Sequence, residues 1–170
     1  KDFELLSADD VPDEPLAFAD ANFEKALRTA MGIADRPITQ KDAYLTQSLE
    51  ITSEKSEAAM FSDIGPLACF VNLKKLSFNA NKISDLSPLS NLTKLTELNV
   101  GYNRIQDVSP LAGLTQLEKL VLKFNDISDV GALSGLTKLW ELMLEGNPVN
   151  DYSPLKDIFP NLKSKEFDLN

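Results

Sequence analysis

Residues 95–114 read LTELNVGYNRIQDVSPLAGL. An Asn stands inside an apolar run, and an Asp and a Ser-Pro follow at once. The same grammar returns at a fixed interval. Leu73, Leu95, Leu117 and Leu139 are 22 residues apart, as are Asn81, Asn103, Asn125 and Asn147. Ile83, Ile105, Ile127 and Val149 keep that spacing, and so do Leu89, Leu111, Leu133 and Leu155. Helical heptads do not account for the pattern, because the spacing within each unit is uneven and a Ser-Pro recurs mid-unit.

A period of this length with this Leu and Asn spacing marks a leucine-rich repeat solenoid. In LTELNV, Leu98 and Val100 alternate with Glu97 and Asn99, as in a short strand with one face in the core. Short parallel strands are expected near residues 75–78, 97–100, 119–122 and 141–144. Asn103 ends its strand, and its amide offers both a donor and acceptors, so a stack of such residues is expected to satisfy buried backbone groups as a ladder. Ile105 then points inward, Ser109 is expected to cap a short helical turn, and Pro110 suits its first position. Leu111 and Leu114 close the coil. The expected fold is an α/β repeat solenoid: a right-handed horseshoe with short parallel concave strands, a 3-10 or irregular convex side and an α-helical N-terminal cap.

The chain of 170 residues is organised accordingly. Residues 1–15 form an acidic lead-in with the composition of a flexible segment. Residues 16–47 form a helical cap, and residues 48–170 hold about five coils with a closing segment. Within the cap, Asp20 is expected to start a helix that ends at Met31 before Gly32, with Phe23, Ala26, Leu27, Ala30 and Met31 as its apolar stripe. Thr39 and Asp42 have capping-box spacing for a second short helix through Tyr44 and Leu45. SLEI, with Leu49 and Ile51, is expected to be a first irregular strand, followed by a bulging loop at SEKSEAA. Leu162 breaks the register by one residue, and Phe167 and Leu169 are expected to form the closing strand.

Charge is uneven. Residues 1–66 carry 14 acidic and 6 basic side chains, whereas residues 67–170 carry 12 and 11. An acidic front and neutral repeats argue against nucleic acid and anionic lipid as partners. No apolar run is long enough to span a membrane, and no signal peptide is visible from Lys1 onward. There is no His and one Cys, which removes the usual triads, His-containing zinc sites and an intramolecular disulfide. Cys69 reads as a small residue in a convex turn, with a reactive thiol as the alternative. Asp85, Asp107, Asp129 and Asp151 would form a row. It could bind Ca²⁺, but each Asp precedes a Ser or Gly by two residues and suits a backbone cap at the turn. No cofactor is expected, and no pocket motif accompanies the acids.

The exposed strand positions are more telling. Lys75, Glu97, Lys119 and Glu141 alternate in sign, so neighbours can pair. Ser77, Asn99, Val121 and Met143 run from polar to apolar. Ala80, Tyr102, Phe124 and Gly146 precede the ladder, and Trp140 leads into the fourth of these strands. The repeat does not demand these apolar and aromatic residues. The expected binding face comprises Lys75, Ser77, Glu97, Asn99, Tyr102, Val121, Phe124, Glu141 and Met143. Lys123 and Glu145 stand on its rim, and Trp140 on its ascending edge.

The units NxIxDLSPLxxLTxL, with the front piece FADANFEKALRTAMG…ITQKDA…LEI, resemble the repeats and helical cap of internalins. The resemblance covers roughly residues 16–160. It implies a secreted or surface-displayed bacterial protein, not an enzyme, that binds another protein through its concave face. No LPxTG-type sorting signal or immunoglobulin-like segment is present in this sequence, so no particular receptor is carried over. The alternative is a cytoplasmic adaptor of the phosphatase-regulator type; the helical cap favours the exported reading.

Overall fold

The repeating Leu positions shape every coil. In the computed structural model, which describes residues 7–52 and 56–169, six short strands form one parallel sheet in chain order. They are β1 (Ser48–Glu50), β2 (Lys75–Ser77), β3 (Glu97–Asn99), β4 (Lys119–Val121), β5 (Glu141–Met143) and β6 (Ser164–Lys165). Leu49, Leu76, Leu98, Leu120 and Leu142 occupy the strand centres and are buried, while their neighbours face outward. The sheet pairs Leu76 with Leu98, Leu98 with Leu120 and Leu120 with Leu142, so the sequence period is the strand register. Residues 1–6 of the acidic lead-in and 53–55 of the expected loop lie outside the described residues. The rest of that loop forms a 3-10 turn at Glu57–Ala59.

Opposite the sheet each coil closes through a 3-10 turn: Gly65–Cys69, Ser87–Leu89, Ser109–Leu111, Gly131–Leu133 and Ser153–Leu155. The capping expected of Ser109 is performed by Asp107. The Ser109 backbone N–H donates to Asp107 Oδ1 at 2.8 Å, and its hydroxyl donates to Oδ2 at 2.8 Å. Asp85, Asp129 and Asp151 accept in the same way from Ser87, Gly131 and Ser153. A carboxylate two residues ahead reaches the free N–H better than the hydroxyl of the turn's own first residue. Asp63, accepting from Gly65 at 2.7 Å, is a fifth member of the row.

The Asn ladder is present. Asn81, Asn103, Asn125 and Asn147 accept through Oδ1 from the backbone N–H of Phe61, Ile83, Ile105 and Ile127 in the preceding coil, at 3.0–3.2 Å. Their Nδ2 groups donate to strand-end carbonyls such as Val100 and Leu122.

Helix α1 (Ala21–Met31) starts at Asp20 and stops at Gly32, which takes φ 67°. Phe23, Ala26 and Leu27 are buried. Ala30, expected on the same stripe, is exposed, and Met31 is only partly buried. Asp20 does more than cap. Its Oδ1 accepts from Asn22 and Phe23, and its Oδ2 accepts from Ser62 and Asp63 of the first coil. Burial works against the Asp20 charge, but the backbone donors of Ser62, Phe23, Asp63 and Asn22 hold its carboxyl below the usual range. Helix α2 (Gln40–Leu45) carries the Thr39–Asp42 capping box.

At the other end, β6 replaces the closing strand expected at Phe167 and Leu169. Glu141 pairs with Ser164, one residue beyond the regular period, which absorbs the shift seen at Leu162. Phe167 instead packs sideways, its ring stacked on Tyr152 at 4.6 Å.

Candidate functional site

The strand register aligns the outward side chains in columns about 4.8 Å apart. In the first column Lys75 Nζ lies 2.8 Å from Glu97, the neighbour pairing expected from alternating sign. The next two charges do not repeat it: Lys119 Nζ sits 4.9 Å from the Trp140 ring centre. A half-buried indole face competes with the Glu141 carboxylate for the ammonium group. In the second column Ser77, Asn99, Val121 and Met143 stand side by side and half-buried. The column therefore turns apolar along the sheet.

The aromatic pair is formed by an unusual backbone. Ala80, Tyr102 and Phe124 have φ of 56°, 56° and 52°, and Gly146 has 74°. Left-handed φ costs a non-glycine residue about 1–2 kcal/mol. Cross-coil hydrogen bonds offset it: Tyr102 N–H donates to Lys123 O at 2.8 Å and Phe124 N–H to Glu145 O at 2.7 Å. The turn throws each side chain outward. Tyr102 and Phe124 are 54% and 41% exposed, yet their rings stack at 4.6 Å and 20°. Gly146 provides the seat, since a Cβ there would lie 2.4 Å from Phe124 Cδ1.

Lys123, on the rim, is not a free charge. It pairs with Glu145 at 3.3 Å and more tightly with Glu166 of the closing segment. The hydrogen bond that Lys123 donates to Glu166, helped by the one to Glu145 and opposed by loss of hydration, raises the Lys123 ammonium above the ordinary lysine range. The structure thus brings together Tyr102 with Phe124, Lys75 with Glu97, Lys123 with Glu145, and Lys119 with Trp140. Trp140 leads into β5 at the opposite strand end from Phe124 and makes no ring contact with it among the described residues.

Glu166 and Gly146 were not singled out as functional by sequence. Gly146 carried a signal, because it replaces a ring in an aromatic register. Glu166 carried none, since its position follows from the one-residue shift at β6.

A family model described as leucine rich repeats in two copies matches residues 71–113, and a leucine rich repeat model matches residues 93–149. Among solved structures, an internalin (inlF) from Listeria monocytogenes is 29% identical with a TM-score of 0.70, covering 90% of this chain and 51% of its own. Internalin C2 from the same organism is 24% identical with a TM-score of 0.62, covering 91% of this chain and 100% of its own. A leucine-rich repeat protein from Leptospira interrogans is 18% identical, with a TM-score of 0.53 over 75% of this chain and 38% of its own. The last two share the fold. This chain spans about half the length of the first. No curated protein matches it.

Proposed function

The chain is an internalin-like leucine-rich repeat protein, and we propose that it is a non-enzymatic protein-binding module displayed outside a bacterial cell. Its face is the concave sheet, centred on Tyr102, Val121, Phe124 and Met143, with Lys75, Ser77, Glu97, Asn99 and Glu141 around them. The observation that carries this is the exposed Tyr102–Phe124 stack beside the apolar half of the second column. Exposed aromatics on a rigid scaffold make an interaction hot spot, and little ordering entropy is lost when they dock. Residues 16–47 serve as the cap that covers the first coil, and residues 48–170 supply the coils. The polar rows support binding over chemistry, because the Asp row is engaged at turns and the Asn ladder is built into the coil stack. Listerial neighbours support the exported reading over the cytoplasmic adaptor.

The test is capture from host or neighbouring-cell surface extract, followed by affinity measurement on the partner identified. Tyr102→Ala/Phe124→Ala should weaken that affinity by at least about tenfold with the circular dichroism spectrum unchanged, as befits hot-spot residues. Unchanged affinity would move the site off this face.

A further inference from the structure

The ring stack is one ring short. Phe124 leans on Gly146, Tyr102 leans on Phe124, and the next place in the row belongs to Ala80. Ala80 shares the backbone conformation of Tyr102 but offers only a methyl group. The second face of the Tyr102 ring therefore has no ring from the preceding coil against it, and the residue is 54% exposed.

Beside this slot lies Gly101. A Cβ there would stand 3.4 Å from Lys123 O, 3.6 Å from Asn99 Oδ1 and 3.8 Å from Asn79 Oδ1, so the missing side chain leaves a shallow notch bordered by both amide oxygens. Asn99 Oδ1 accepts from Gly101 N–H at 3.3 Å, and that is its side chain's one hydrogen bond among the described residues. The Asn79 side chain has no hydrogen bond among them. The adjacent charges are compensated, Lys75 by Glu97 and Lys82 by Glu57 at 3.4 Å. Arg104 is the one exposed cation next to Tyr102 without an ion pair among the described residues.

An open aromatic face beside unused primary amides is chemically specific. The negative face of the ring attracts polarised C–H groups. Each amide both donates and accepts, and hydroxyl groups do the same. A cationic ligand would find no partner here and an anionic one would find only Arg104, whereas a polyol with one apolar face matches both the ring and the amides. We infer that the notch is a subsite for one pyranose ring of a neutral glycan, its C–H face on Tyr102 above Ala80 and its hydroxyls on Asn79 and Asn99. The subsite lies at the polar end of the sheet and operates without the protein partner.

Titration of the ¹⁵N-labelled chain with cellobiose, lactose and N,N′-diacetylchitobiose tests this with no partner protein present. At least one should give saturable shifts at the Asn79 and Asn99 side-chain amides and at the Ala80 and Gly101 backbone. Tyr102→Ala should weaken that binding by about tenfold, the loss of one stacking face with its contacts. The variant keeps the fold, since Ala80 already holds the same conformation one coil earlier. Ala80→Phe should complete the stack and abolish sugar binding while leaving Val121, Phe124 and Met143 in place. No saturable shift with any of the three sugars would overturn the proposal. So would shifts unchanged in both variants, or shifts at these resonances produced by a proline-rich peptide and by none of the sugars.

Discussion

Asn103 holds four hydrogen bonds at once: it accepts from Ile83 and donates to Phe78, Val100 and Gly101. All four partners are backbone groups, and Asn103 is itself buried. Alanine would leave the Ile83 N–H and the Phe78 carbonyl unpaired, while Val100 O keeps the Asn125 amide and Gly101 O keeps the Ala80 N–H, at a cost of about 1–3 kcal/mol. Asn103→Ala should therefore lower the urea midpoint of unfolding, and an unchanged midpoint would show that the ladder is dispensable. Gly146 is the other residue where one atom matters. Alanine at its φ of 74° would cost about 1–2 kcal/mol and push the Phe124 ring off its seat. Gly146→Ala should thus alter the near-ultraviolet dichroism of the Tyr102–Phe124 pair. The ladder was legible in sequence because Asn recurs with the Leu period. The seat was not, because it depends on how close the neighbouring coil comes.

At the scale of elements, helix α2 is tied by charge. Arg36 donates to both Asp42 oxygens, at 2.6 and 2.7 Å, and Thr39 N–H donates to the same carboxylate. The Arg36 bonds, against partial burial and with help from Thr39, hold the Asp42 carboxyl down at about 2. The folded value lies below the unfolded one, so unfolding takes up a proton in acid. This stability is fully present above the ordinary carboxylate range, and it is lost as pH falls from 3.8 toward about 2. Arg36 is more than half exposed, so screening leaves about 1 kcal/mol. Thermal melts across that window should show the loss, and Asp42→Asn should flatten it. The capping box was readable from Thr39 and Asp42. The Arg36 clamp was not, because a loop conformation between Arg36 and Thr39 brings it round.

For the whole molecule, a solenoid transmits stability only between neighbours, and its end coils need cover. Here Asp20 and Asn22 sew α1 to the first coil through Ser62, Asp63, Ala58 and Met60. Phe23 and Phe61 pack at 5.2 Å across the same join. A chain lacking residues 1–47 should expose Leu49, Ile51 and Phe61, lose its cooperative melt and partition to the insoluble fraction. Recovery of a soluble shortened chain with a sharp transition would show that the coils stand without the cap.

The sequence by itself determined the coil, its strand register, the Asn ladder, the two cap helices and the columns of outward side chains. All of these follow from local periodicity, since residues 22 apart must stack once each coil closes alike. Tertiary structure alone decided which outward residues are free. It moved the closing strand to Ser164–Lys165, and with it brought Glu166 onto Lys123. It turned Lys119 toward Trp140, stacked Tyr102 on Phe124, and left Tyr102 without a further ring in the row, where Ala80 stands. Those outcomes rest on distances between side chains of different coils, and on backbone turned to positive φ, which no one-dimensional spacing encodes.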